Sequence, residues 1–323
     1  MNTPSNAVPE SSFDSQAIAP AAVAETRPMY WSVRRELWEN RSIYVAPLAV
    51  AGVYLLGYWI SLIGLPHSMR EYAALDPAHR QVMVAMPYAH AAMLLVATAF
   101  LVGVFYCLDA LHGERRDRSI LFWKSLPVSD LTTVLSKAMI PLVVLPVFTL
   151  VLIVVLQLIM LALSTMVLAM SGVSPSILWA QLPLFQMELV LVYSLIVIAL
   201  WHAPVYAWLL LVSGWARRAT FLWAVLPPLL ISVFESIAFN VFEKMGLHSL
   251  YSNSLLKDRL FGWAPAAFDY TMPDGSQVDM HFVPLTQIAV GKFLSSPGLW
   301  VGLAFAAGFF ALAVRMRRDR EPI

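Results

Sequence analysis

Charge is scarce in this chain. Only 13% of its 323 residues are Asp, Glu, Lys or Arg, against about a quarter in an average soluble protein. So few charges exclude an ordinary soluble globule, whose surface they could not cover. The formal net charge is +1, which excludes the basic footprint of a nucleic-acid-binding protein. Cys107 is the lone cysteine, so no disulfide forms within the chain and no Cys-rich metal site is available. Residues 1–26 hold no Lys or Arg, and their apolar stretch Ala17–Ala24 is short and broken by Pro20. A secretory signal needs a basic start and an unbroken apolar core. The expectation is a disordered cytoplasmic tail over 1–28, followed by one domain over 29–323.

Catalytic signatures are missing too. No Gly-x-x-x-x-Gly-Lys-Ser/Thr occurs: Gly291-Lys292 is followed by Phe293, and Thr286 stands where the first glycine belongs. His-Glu-x-x-His and Gly-x-Ser-x-Gly are absent. His112 and Asp117 do share the His-x-x-x-x-Asp spacing of glycerolipid acyltransferases, in which the acid orients the histidine as a general base. The other motifs of that chemistry are lacking. His90 and His202 have no second ligand at metal spacing, and Asp109 reads as a partner for the arginines that follow it. No metal site is expected.

Apolar residues are abundant, at 59% with mean hydropathy +0.71. A helix needs about 20 apolar residues to cross a bilayer. Six segments qualify or nearly do: Ile43–Leu65, Pro87–Leu111, Ala138–Met170, Leu182–Ser213, Thr220–Phe242 and Gly298–Val314. This predicts an all-α polytopic membrane protein. The third and fourth exceed 30 residues, which implies tilt, a kink or projection beyond the bilayer. Pro141, Pro146 and Pro204 are candidate kinks. The third could also continue a helix inward from Lys137.

The cations are unevenly divided. Fifteen fall on one set of connections: Arg27, Arg34, Arg35 and Arg41, then the stretch Arg115–Lys137, then Arg217 and Arg218, then Arg315–Arg320. Six fall on the other. The positive-inside rule therefore predicts that both termini are cytoplasmic. Ahead of the first span, Tyr30, Val33, Leu37 and Trp38 recur at helical spacing with charges between them. This predicts a short amphipathic helix on the inner membrane surface.

The connection from His112 to Lys137 reads HGERRDRSILFWKSLPVSDLTTVLSK. A charge cluster, Glu114 to Arg118, precedes the apolar run Ile120-Leu121-Phe122-Trp123, which Leu126-Pro127 ends. Ser129 or Asp130 can cap the next helix. A water-facing loop has no reason to show Leu-Phe-Trp, so the run lies in the interface or fits a partner's groove.

In this order of residues (Glu114-Arg115, a short apolar helix, Leu126-Pro127-Val128-Ser129, then Lys137) the chain resembles the type-2 ABC exporter permeases. The six-span layout and the N-terminal interfacial helix also match. The likeness covers nearly everything from residue 29. Where the family often has Gly-Thr, this chain has Arg118-Ser119. The resemblance implies that the loop forms a cytoplasmic coupling helix seated on a separate ATPase subunit. Its implied coupling residues are Glu114, Arg115, Ser119, Ile120, Leu121, Phe122, Trp123, Leu126 and Pro127. It implies a pair of permeases, either a homodimer or a dimer with a paralogue, in a bacterial inner membrane. ATP and Mg would be bound by the partner, so this chain carries no cofactor and is not itself an enzyme. It also implies an external loop, here 243–297, in which Asp274-Gly275 reads as a turn. Glu188 and Glu235, inside the fourth and fifth spans, could line an outer substrate path, since ionisable groups there usually face the protein interior or water. Two other classes remain open: a membrane-embedded lipid-modifying enzyme and a non-transporting assembly protein.

Overall fold

The computed structural model describes residues 28–117, 119, 128–244, 255–269 and 285–319. The N-terminal tail up to residue 27, the apolar run 120–127 and the Asp274-Gly275 turn lie outside the described residues. The described residues are helical throughout, and their only β-type pairing is the single bridge Phe268–Ile288.

Helix α1 (Pro28–Glu39) leads into α2 (Ser42–Ser61), the short α3 (Leu65–Ala73), α4 (Pro77–Ala110) and the one-turn α5 (His112–Arg116). Next come α6 (Asp130–Met139), a π-helical turn over Ile140–Val144, and α7 (Leu145–Met170). Then follow α8 (Ser176–Gln181), α9 (Leu184–Trp215) and α10 (Thr220–Lys244). The segment between α10 and the last helix, α14 (Pro297–Asp319), supplies α11 (Leu255–Phe261), α12 (Trp263–Ala267) and α13 (Val290–Ser295). Six helices are long and apolar enough to cross a membrane, as the hydropathy pattern predicts.

Local chemistry explains the boundaries. Asp76 caps α4 by accepting the His79 N–H at 3.3 Å, and Pro77 follows as first helical residue. The second span therefore starts about three turns before the expected Pro87. Ser129 caps α6 by accepting the Thr132 N–H at 3.1 Å. Helix α7 ends in a Schellman motif, with the Val173 N–H donating to Leu168 O at 3.1 Å. Gly172 has φ +69° there, a conformation that costs other residues strain.

The third span reaches further than its apolar run. It is one helical rod from Asp130 to Met170, 41 residues. At about 1.5 Å per residue that is some 60 Å, twice a bilayer's hydrocarbon core. Pro141 has no N–H for the Lys137 carbonyl, and the rod absorbs this as the π turn at Ile140–Val144. Against that turn, Gly103 of α4 lets two helices close in: a β-carbon there would lie 3.1 Å from the Tyr206 ring and 3.3 Å from Pro141.

Helix α9 is the centre of the bundle. Its most apolar stretch is 61% buried, against 11% for α10. One core, with Tyr58, Tyr88, Leu95 and Met160, joins α2, α4 and α7 at one end. A second, with Ile43, Tyr106, Leu145 and Tyr206, joins α1, α2, α4, α7 and α9 at the other. A third seats α12 and α13 on α9 and α14 through Trp201, Phe268 and Phe293.

Candidate functional site

The second core leads to the cation-rich end of the bundle, where a buried ionic cluster gathers four elements that are far apart in sequence. Glu36 comes from α1. Its register with Val33, Leu37 and Asn40 turns it inward, and it is 0% exposed. Glu114 comes from α5, Lys137 from α6 and Arg317 from α14, and all three are buried.

Lys137 lies at the middle. Its Nζ is 2.8 Å from Glu36 Oε1 and 3.1 Å from Glu114 Oε1. Glu36 also accepts from Arg35 at 2.6 Å and from the Tyr106 hydroxyl at 2.8 Å. Arg35 reaches Glu114 as well, at 3.1 Å. The other Glu114 oxygen accepts from Arg317 Nη1, and Arg317 Nε donates to Asp130 at 3.0 Å. Three carboxylates thus meet three cations. Burying such charges is costly, and only mutual pairing with hydrogen bonds to the remaining lone pairs offsets the cost.

Helix ends are tied into the same place. The α4–α5 break frees the Leu111 and His112 N–H groups, and Ser213 Oγ accepts both, at 3.0 and 2.8 Å. Arg115 donates to Gly214 O at 2.8 Å and Ala216 O at 3.3 Å, satisfying carbonyls at the C-terminus of α9. Ser119, just beyond α5, donates to Glu114 O at 3.4 Å. Both flanks of the 117–129 connection are therefore fixed to α1, α9 and α14.

Burial alone would push the Glu36 carboxyl up. Lys137 and Arg35 outweigh it and hold the group below the usual carboxylate range. A folded pKa below the unfolded one stabilises fully above the unfolded value, and the gain is lost as pH falls through the folded value. Hydrogen exchange in α1, corrected for intrinsic rates, is therefore expected to stay constant from pH 8 to about 5 and to rise only below about 4. An onset near pH 6–7 would contradict this Glu36 anchor.

Among the residues proposed for coupling, Glu114 and Arg115 point into their own chain, and Ser119 stands at the loop's edge. Ile120, Leu121, Phe122, Trp123, Leu126 and Pro127 lie outside the described residues. Sequence reasoning gave Glu36, Asp130, Tyr106 and Arg317 no place in a site: it read Asp130 as a candidate cap, Arg317 as one of the inward cations, and Lys137 as a motif residue at the start of a helix. One signal was available: Glu36 occupies the apolar stripe of α1.

The two membrane carboxylates have separate surroundings. Glu235 is buried and its Oε2 accepts the Leu255 N–H at 3.0 Å, holding the start of α11. Glu188 is half-buried, and its Oε2 is enclosed without a hydrogen-bond partner. No hydrogen bond joins the two. The segment between α10 and α14 is further fixed by Arg259, which donates to Trp201 O at 3.1 Å and Gly298 O at 2.9 Å and stacks on the Trp201 ring. His202 contacts the Ile198 carbonyl at 2.9 Å and the Leu260 carbonyl at 3.3 Å. His112 contacts Ala216 O at 3.3 Å and Asp117 pairs with Arg116 at 3.0 Å, so no hydrogen bond joins His112 to Asp117. Among the described residues no group of three His, Cys, Asp or Glu could hold a metal.

A groove of about 710 Å³ lies between α2 and α4 in their halves away from the cluster. Tyr54, Tyr58, Ser61, Tyr72, Met83 and His90 line it.

No family model matches this chain, and neither a curated protein nor a solved structure gives a significant match. What the fold defines on its own is the class: a helical protein with six candidate membrane spans.

Proposed function

We propose that this chain is the membrane subunit of an ATP-driven ABC exporter in a bacterial inner membrane, with both termini cytoplasmic. It would work as a pair with a second copy or a paralogue, and a separate ATPase would supply the energy. The observation that carries this reading is the mounting of the 117–129 connection. The sequence between α5 and α6 holds Ile-Leu-Phe-Trp, and Glu114 and Lys137 on its two flanks are bound to each other and to α1 and α14. A push on that loop reaches four helices at once, which suits a contact that passes force into a membrane bundle. The π turn at Ile140–Val144 lies one turn above Lys137 and offers a place for the third span to bend.

On this reading Glu114 and Arg115 serve coupling by holding the loop's base, while the apolar run makes the contact. ATP would close the ATPase pair, the run would follow it, and the bundle would shift between two packed states. Glu188 Oε2 and Glu235 Oε1 are both enclosed without a hydrogen-bond partner; on this reading Glu188 is the better of the two for a substrate path, because the other oxygen of Glu235 holds the start of α11.

Purification of the tagged chain from its own membranes in mild detergent tests the proposal. An ATPase subunit is expected to come with it and to hydrolyse ATP. Recovery of the folded chain alone, after cross-linking in intact membranes as well, would overturn the reading.

A further inference from the structure

Helix α1 has two faces with different chemistry. The inward face carries Val33, Glu36, Leu37 and Asn40 and belongs to the core and the ionic cluster. The outward face carries Tyr30, Trp31, Arg34 and Trp38. Its three aromatics are 57%, 55% and 66% exposed. Arg34 lies between two of them, with its guanidinium carbon 5.3 Å from the Trp31 ring centroid and 4.7 Å from that of Trp38. The rings hold the guanidinium in place by cation–π attraction.

Among the described residues no carboxylate pairs with this arginine. The two acids of α1 lie elsewhere: Glu36 is turned inward, and Glu39 is 3.7 Å from Arg35. Arg41, also exposed, adds a second cation where α1 passes into α2. Among the described residues the face thus combines positive charge, clustered tryptophan and no paired carboxylate.

Its place decides what covers it. The first candidate span begins at Ser42, three residues after α1 ends, so the helix lies at the membrane boundary. Tryptophan and tyrosine settle at that depth, with ring body in the acyl region and polar edge among the headgroups. Arginine there extends its charge toward phosphate, which it binds through two parallel N–H bonds. Water would leave three large aromatics exposed, and a neutral headgroup would leave the two cations without a net counter-charge.

We infer that Trp31, Arg34 and Trp38 form a binding site for the phosphate of an anionic phospholipid in the leaflet at the cation-rich end. Arg41 adds to its affinity. The lipid would press α1 onto the bundle, and through Glu36 it would favour the closed ionic cluster around Lys137. This inference concerns the chain and its lipid alone, so it stands or falls independently of any ATPase.

The full-length protein would be purified and placed in nanodiscs of phosphatidylcholine, with or without phosphatidylglycerol. Two quantities would be read: the phosphatidylglycerol retained on the protein by native mass spectrometry, and the thermal unfolding midpoint. The wild type is expected to retain phosphatidylglycerol preferentially and to melt higher in its presence. Arg34→Gln should reduce that preference about fivefold, the effect of one cation at an anionic surface. Trp38→Ala should reduce it as well. Arg34 makes no ion pair among the described residues and lies on the outward face, so its loss is expected to leave the core intact and the variant folded. Arg315→Gln removes an exposed cation from the last helix and should leave the preference unchanged. Equal retention in wild type and Arg34→Gln would overturn the inference. So would equal loss in Arg315→Gln, which would mean a diffuse charge effect. No preference in the wild type, as expected if this face seats a protein instead, would overturn it too.

Discussion

Methionine at Lys137 is expected to destabilise the protein by about 3–5 kcal/mol, the usual consequence of removing one partner from a buried ion pair. Lys137 is 2% exposed and stands within 3.1 Å of both Glu36 and Glu114. Without it, the two buried carboxylates keep only Arg35, which bridges the same two oxygens at 2.6 and 3.1 Å, and Arg317 on the other Glu114 oxygen. The apolar stem of methionine fills similar space, so the loss is one of charge rather than volume. Adding Glu36→Gln should restore part of the stability, because it removes one of the stranded charges. The measurement is thermal unfolding in detergent for the two single variants and the double variant. A network requires a coupling clearly beyond the error of additivity, about 0.5 kcal/mol. Strict additivity would mean that Lys137 and Glu36 act separately. The loss should also persist in high salt, since buried pairs are screened much less than surface ones.

Aspartate at Leu121 or Phe122 is expected to abolish ATPase co-purification while leaving the unfolding midpoint of the chain unchanged. The reason is positional. These residues belong to the apolar run between two anchored flanks, and the proposed function makes that run the contact with a partner. A charge desolvated in an apolar groove is costly, so binding should fall by tenfold or more, or about 1.4 kcal/mol and upward. If ATPase recovery and ATP hydrolysis survive both substitutions, the run is not the docking element. Glu114→Ala makes the informative contrast. From the sequence alone it should uncouple the subunits while leaving the membrane domain intact. Burial changes that expectation: Glu114 holds Lys137, Arg35 and Arg317 together, so its loss should lower the midpoint as well. Contact residues and mounting residues are thereby separated by whether stability falls with coupling.

How much could be read beforehand differs from element to element. The six apolar helices were legible because a bilayer demands length and hydropathy, and both are local properties. Their ends were less so. Helix α4 starts at Pro77 because Asp76 caps it, and a hydropathy profile does not see caps, whereas the Ser129 cap of α6 was one of the two that the sequence offered. The role given to Glu235 looks different once Leu255 is beside it, since its contact is twenty residues away in sequence. Glu114 and Arg115 were noticed as motif residues and expected at a partner's surface, whereas the fold turns both inward.

The sequence by itself determined the class, the number of candidate spans and the end of the bundle where the cations collect. Those follow from composition and periodicity, which act over a few turns of helix. Only the tertiary structure decided which of the charges are partners. Glu36, Glu114, Lys137 and Arg317 span almost the whole chain, and no helical period relates them. Each would be costly to bury alone, and they become tolerable only when four helices bring them within hydrogen-bonding distance. The scarcity of charge that marks this chain therefore has its counterpart in one place, where the few charges it buries are made to satisfy one another.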